Sequence, residues 1–375
     1  MYGVTGSISG LLGTFRMAEV AMRYSEFIPR FYNLSKSLGF KTGKIMPSRA
    51  FCSDESQGYP IILIAKHFGT FPFNHGLVGG TMSNDRHGPH AHHGDDLVII
   101  HASHVGYDPV SGNFGQYKRL QTARQNFATN CGKICATIDW YIDEYQFAKE
   151  NIFVLKKEDK YRIIIDNQLL HQERKEGLIL KLDRLIKQLV PNELHPLRSL
   201  STSKEFFISD NLLKKLQLQT LADNEKQVIG DRLTADLFYF KKTSVDRMDS
   251  NLIDAMPIIV TSRWPALTAA QVNTQVEFDH SFRSILKEPN YRGKNLLFIS
   301  GLNVDISPEP GQLFPLTKFI PWAGLYQNKN DNHQTWEQDE LYDRIINQPL
   351  ENPDQVDLEN AISIMRKEKE IILPV

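Results

Sequence analysis

Three short segments carry residue types from which metal chemistry is built. They read Arg49-Ala50-Phe51-Cys52-Ser53-Asp54-Glu55, His101-Ala102-Ser103-His104-Val105-Gly106-Tyr107 and Asn130-Cys131-Gly132-Lys133-Ile134-Cys135. Two Cys and one His delivered by separate segments are a ligand set for Zn2+ with one coordination position left open. Catalytic zinc sites are arranged that way, whereas structural sites close with four protein ligands. Asp54, two residues after Cys52, puts a carboxylate beside the prospective metal. These residues point to a zinc enzyme, with the rest of the chain as the scaffold that holds the segments.

Within each doublet one residue is favoured. His101 and His104 both follow the apolar run Leu97-Val98-Ile99-Ile100, at the strand end where α/β proteins place ligand sites. His104 leads into Val105-Gly106-Tyr107 at a loop mouth, while His101 sits nearer the strand, so His104 is preferred. Cys131 precedes Gly132, which permits close backbone approach. Cys135, a helical turn further on, reads as a packed small hydrophobe. The histidines of the Gly-rich stretch 68–94 (His87, His90, His92 and His93 among them) have three readings: a metal site of their own, a proton route to solvent, or a solvated loop. Gly76, Gly79 and Gly80 match neither a dinucleotide-binding nor a P-loop pattern.

The elements that must position these residues are short. Residues 14–38 have helical spacing, with Pro29 expected to kink or divide them and Gly39 to stop them. Ile61–Ala65, introduced by Pro60, Leu97–Ile100, Pro257–Thr261 and Asn295–Ser300 read as buried strands, and Tyr161–Ile165 as a further strand. Residues 117–128 are expected to form a short polar helix and 138–150 a longer one. Leu178, Leu182, Leu185, Ile186 and Leu189 predict an amphipathic helix over 173–189. Strands alternating with helices imply an α/β fold with a mainly parallel sheet flanked by helices. The reading is one domain over 1–327 with an insert around 191–250, which holds helical pieces near 208–222, followed by a polar, helical tail over 328–375.

Composition narrows the partners. The chain has 375 residues, 41% hydrophobic and 23% charged, with a net charge of −1. These values fit a soluble globular protein and give no electrostatic case for nucleic acid or an anionic membrane. Three Cys are too few for a disulfide framework, and no apolar run spans a bilayer. With no signal-peptide pattern at its start, the chain is expected to be cytoplasmic.

With these residues in hand, the chain resembles the limiting-CO2-inducible protein B/C family, which has a β-type carbonic-anhydrase fold and is related to the θ carbonic anhydrases. The matching pieces are Cys52-Ser53-Asp54-Glu55, the segment Phe71–Gly80, the strand Leu97–Tyr107 with its His-Val-Gly, Cys131-Gly132, and Leu297–Asp305 followed by Phe314-Pro315-Leu316 and Phe319. The resemblance spans roughly residues 10–325. It implies Cys52, His104 and Cys131 as zinc ligands, Asp54 as the adjacent carboxylate, and a homodimer. One departure stands out. Many β-type carbonic anhydrases read Cys-x-Asp-x-Arg, and here the last position is Ser56, which leaves Arg49 as the candidate guanidinium for holding Asp54 off the metal.

The resemblance implies reversible hydration of CO2 to bicarbonate and a proton by zinc-bound hydroxide. Asp54 would orient the water and His92 or His93 would export the proton. Two alternatives come from other classes. One is a catalytically silent zinc-binding relative that acts as a regulatory or partner subunit, which Ser56 favours. The other is a metal-free Cys hydrolase using Cys52 or Cys131 with His104.

Overall fold

In this computed structural model, residues 15–83, 96–119, 127–171, 175–191, 193–216, 221–312, 314–367 and 369 are described. The elements that bear on the site are, in chain order, α1 (Tyr24–Ser37), β1 (Ile45–Ala50), α2 (Gly58–Phe68), β2 (Asp96–Asp108), β3 (Gln116–Lys118), β4 (Phe127–Thr129) and α3 (Gly132–Glu150). After a long intervening segment come α4 (Pro265–Lys287), β5 (Asn295–Ile306), β6 (Leu316–Gln327), β7 (His333–Trp336), α5 (Gln338–Ile346) and α6 (Leu358–Lys367).

The central sheet runs β1–β2–β5 in parallel, and β6 and then β7 add to it antiparallel beyond β5. Its core strands are buried on both faces, and residue parity decides which layer each side chain joins. Val98, Ile100 and Ala102 of β2 and Leu297 and Ile299 of β5 pack with Phe27, Phe31, Ile64, Phe68 and Leu341, from α1, α2 and α5. Leu97 and Ile99 with Leu296 and Phe298 face the other way, onto Phe278, Phe282 and Ile285 of α4. Phe27 and Phe319 stack with centroids 4.2 Å apart, which anchors α1 to β6. The expected mainly parallel α/β architecture is therefore present.

Several local expectations are corrected. Ile61–Ala65 is not a strand but the middle of α2, and Pro257–Thr261 lies in the helix Met256–Thr261. Each proline sits in the first turn of its helix, where a missing N–H costs nothing. The helix expected over 173–189 is instead a strand, Gly177–Leu180, and a single turn, Leu182–Leu185. The ends of 117–128 are strands, and residues 120–126 lie outside the described ones. Pro29 lies inside α1 without dividing it.

The described chain folds as two compact units, one formed by 134–272 and the other by 15–133 with the segment after 272. The stretch 191–250 is not a separate insert. Ser203–Phe207 pairs with Lys160–Asp166, and Lys226–Val228 with Ile152–Lys157, so it completes one antiparallel sheet with the preceding segment. The first part of the region after 327 joins the core: β7 extends the central sheet, and Trp336, Leu341 and Ile345 are buried, whereas α6 buries no residue.

Gly76 marks where the loop after α2 meets the end of β1. A Cβ there would stand 2.0 Å from the Phe51 carbonyl oxygen, a contact only glycine avoids. Gly76→Ala is expected to destabilise the fold by ~1–3 kcal/mol through overpacking, measurable as a lowered midpoint in urea unfolding.

Candidate metal centre

Cys52 lies just past the C-terminal end of β1, His104 within β2, and Cys131 immediately before α3. Their ligand atoms all lie within 4.8 Å of one another, and all three side chains are buried. The two sulfurs are 3.8 Å apart. Cys131 is seated through backbone bonds: Gly106 N–H donates to Asn130 O (2.8 Å) and Asn130 N–H to Gly115 O (2.9 Å). A Cβ on Gly106 would lie 2.7 Å from Gln116 O, which accounts for glycine after His104-Val105.

Parity separates the two histidines. Three residues apart on one strand, they face opposite sides of the sheet. His101 takes the α4 side, where Nε2–H donates to Gly80 O (2.8 Å) and Nδ1 accepts from Ser300 Oγ (2.7 Å). His104 takes the other side and donates from Nδ1–H to Asp305 Oδ2 (2.9 Å). That bond orients the ring and leaves Nε2 as the atom open to a metal; Nε2 is buried, with no hydrogen-bond partner among the described residues. A buried, unpartnered ring nitrogen beside two sulfurs is what a metal would satisfy. Cys135 and Asp54 are not in the ligand group.

Asp305 is the residue that the sequence reading missed. Its Oδ2 accepts from Ser56 Oγ (2.8 Å), Gln57 Nε2 (2.8 Å) and His104, and its Oδ1 accepts from Thr317 Oγ1 (2.8 Å). Asn303 ties Gln57 to Tyr24, accepting from Tyr24 OH at 2.8 Å and donating to Gln57 Oε1 at 2.7 Å. A polar Asn303-x-Asp305 pair inside an otherwise apolar strand was the available signal. Ser56 is wholly engaged here, since Asn130 Nδ2 also donates to its hydroxyl at 3.0 Å. Gly79 N–H donates to Cys52 Sγ at 3.1 Å, a contact that favours the thiolate.

The electrostatics follow from this packing. The Cys52 thiol is held far below its ordinary value by the hydrogen bond from Cys131, against the cost of burial, with His104 and Gly79 assisting. Cys131 is raised by donating that same bond and by burial. Burial pulls His104 down, but the neighbouring sulfurs of Cys131 and Cys52 and the bond to Asp305 outweigh it and hold the imidazole well above its usual value. The pair thus keeps one thiolate, and Cys131 and His104 retain the protons that a metal must displace.

Asp54 caps the short turn Glu55–Gln57, accepting from Ser56 N–H at 3.1 Å. Burial raises its carboxyl and the neighbouring Glu55 adds to the rise, while His104 opposes it. Arg49 sits on β1 half-buried, and among the described residues its guanidinium makes no ion pair with Asp54. His92 and His93 lie outside the described residues. No helix among the described residues is long and apolar enough to cross a membrane.

No protein-family model and no curated protein sequence matches the chain. Solved structures do. The crystal structure of PtLCIB4, a homolog of the limiting CO2-inducible protein LCIB, superposes with a TM-score of 0.50 at 11% identity, covering 84% of this chain and 95% of that one. A single-residue variant of the same homolog gives 0.51 at 12% identity, covering 88% and 97%. The chain has the fold of the limiting CO2-inducible proteins, with a buried Cys52, His104 and Cys131 cluster able to hold a metal.

Proposed function

We propose that the protein is a zinc-dependent carbonic anhydrase that hydrates CO2 reversibly to bicarbonate and a proton. One observation carries this reading: His104 Nε2, buried and unpartnered among the described residues, stands beside the sulfurs of Cys52 and Cys131. Two sulfurs and one imidazole nitrogen suit Zn2+ and leave a fourth position for solvent. When bound, Zn2+ supplies the Lewis acidity that lowers the pKa of a water in that position from 15.7 towards ~7.

The chain's own groups do the rest. Asp305 keeps His104 in the ligating tautomer, and Gly79 N–H steadies the Cys52 thiolate. Asp54, held by Ser56 N–H, is the carboxylate that accepts a hydrogen bond from the reacting water and fixes its orientation. Two thiolates donate more charge than neutral ligands, which moves the active range alkaline. His92 and His93 are the proposed proton route, and the resemblance adds a homodimer as the working unit.

Asp54→Asn keeps the shape but weakens the acceptor. It is expected to leave zinc content unchanged and to lower kcat by ~10²-fold, in the range of general acid–base contributions. Full activity in that variant would remove Asp54 from the mechanism.

A second reading, a silent zinc protein serving as a regulatory or partner subunit, is favoured by a separate observation. The Ser56 hydroxyl is taken up by Asp305, and Arg49 makes no ion pair with Asp54 among the described residues, so neither side chain restrains that carboxylate from ligating the metal.

A further inference from the structure

The zinc reading raises a question of charge. Two thiolates cancel the charge of Zn2+, yet two adjacent carboxylates, Asp54 and Glu55, follow closely on Cys52. A carboxylate oxygen is itself a good zinc ligand, so an unrestrained Asp54 would close the site.

Glu55 is not unrestrained. Its Oε1 accepts from Tyr117 OH at 2.6 Å and from the Arg119 guanidinium, whose Nε is also 2.6 Å away. Arg119 Nε in turn lies 3.3 Å from Tyr117 OH, and its guanidinium carbon is 5.8 Å from the centre of the Tyr117 ring. Tyr117 is buried and fixed, because β3 pairs with β4 through Tyr117 and Ala128. From β4 the chain passes through Asn130 directly into Cys131. The acidic turn after one sulfur ligand is therefore bracketed to the hairpin that delivers the other.

We propose that Arg119 is a positioning residue of the metal centre: clamped on Glu55 and braced by Tyr117, it holds the 53–55 turn so that Asp54 stays off the metal and the fourth position stays open. The inference rests on the zinc reading above. It assigns to Arg119, remote in sequence from Cys52, the restraint that neither the Arg49 nor the Ser56 side chain supplies. Burial opposes the Arg119 charge, but the bond to Tyr117 and the charges of Glu55 and Asp54 outweigh it, so the cation persists.

The test uses full-length protein loaded with Co2+, with thiocyanate titrated against the visible absorption of the metal. The parent is expected to respond as thiocyanate enters the open position. Arg119→Gln should bind Co2+ with unchanged stoichiometry, which shows that the fold and the three ligands are intact, while its thiocyanate response weakens by ~10–100-fold. Arg119→Lys, which keeps the charge, should retain most of the response. Arg119→Gln combined with Asp54→Asn should regain it, an outcome that a merely structural role would not give. A Co2+-loaded Arg119→Gln that titrates like the parent overturns the clamp and leaves the zinc reading standing. A parent that binds no Co2+ overturns both.

Discussion

Replacing Cys131 with alanine is expected to abolish stoichiometric zinc binding, and CO2 hydration with it. Among the described residues three side chains could ligate a metal there, so losing one would leave two donors where zinc requires at least three for a catalytic site. The loss should reach at least ~100-fold in affinity, beyond the effect of removing an outer-shell partner. The fold should survive, because Cys131 is a small buried side chain and alanine fills most of its volume. Zinc content after dialysis, with circular dichroism on the same sample, checks both halves. A companion expectation concerns pH. Cys131 and His104 hold their protons in the metal-free protein, and a metal must displace them, so zinc affinity in the parent should rise with pH. Alanine at 131 removes one of those protons and should flatten the rise.

The second large effect is expected at Asp305. Its carboxylate accepts from Ser56, Gln57, His104 and Thr317, and it is fully buried. Asp305→Ala strands four donors at once and should cost ~3–5 kcal/mol of stability, the range for removing one member of a buried polar pair. Asp305→Asn keeps the volume but presents an amide hydrogen to groups that are themselves donors. It should fold, yet lose ~10–100-fold in zinc affinity because His104 is no longer oriented. Denaturant unfolding for the first variant and competition with a chelator for the second separate the structural role from the metal role. If Asp305→Asn binds zinc as tightly as the parent, the His104–Asp305 bond does not tune the metal.

Much of the site was legible because its chemistry is carried by residue type. Cys is scarce in the chain and stands out, with three in the whole sequence, and period-two alternation along β2 is enough to put His101 and His104 on opposite faces. Asp305 was not legible in the same way. It meets His104 from 201 residues away in sequence, and only the parallel register of β5 against β2 brings them together. Arg119 was hidden for a similar reason, since its partner Glu55 belongs to a different segment.

In the fold, the buried strands β2 and β5 were readable at their N-terminal halves as the apolar runs Leu97–Ile100 and Asn295–Ser300. The misread runs share one cause. Pro60 and Pro257 precede Ile-rich stretches and look like strand entries, yet each occupies the first turn of a helix, where proline is at home. The stripe over 173–189 failed differently. Leu178 and Leu185 are both buried, but in a strand and in a separate helical turn, so their helical spacing is coincidental.

Everything proposed for this protein depends on Cys52, His104 and Cys131 holding a catalytic zinc. The most direct test is stopped-flow CO2 hydration on the purified chain from neutral to alkaline pH, with zinc measured on the same sample. The expected result is ~1 zinc per chain and hydration that strengthens towards alkaline pH. Zinc without hydration at any pH would contradict the enzyme and favour the silent relative, and a protein free of zinc would contradict the metal centre itself.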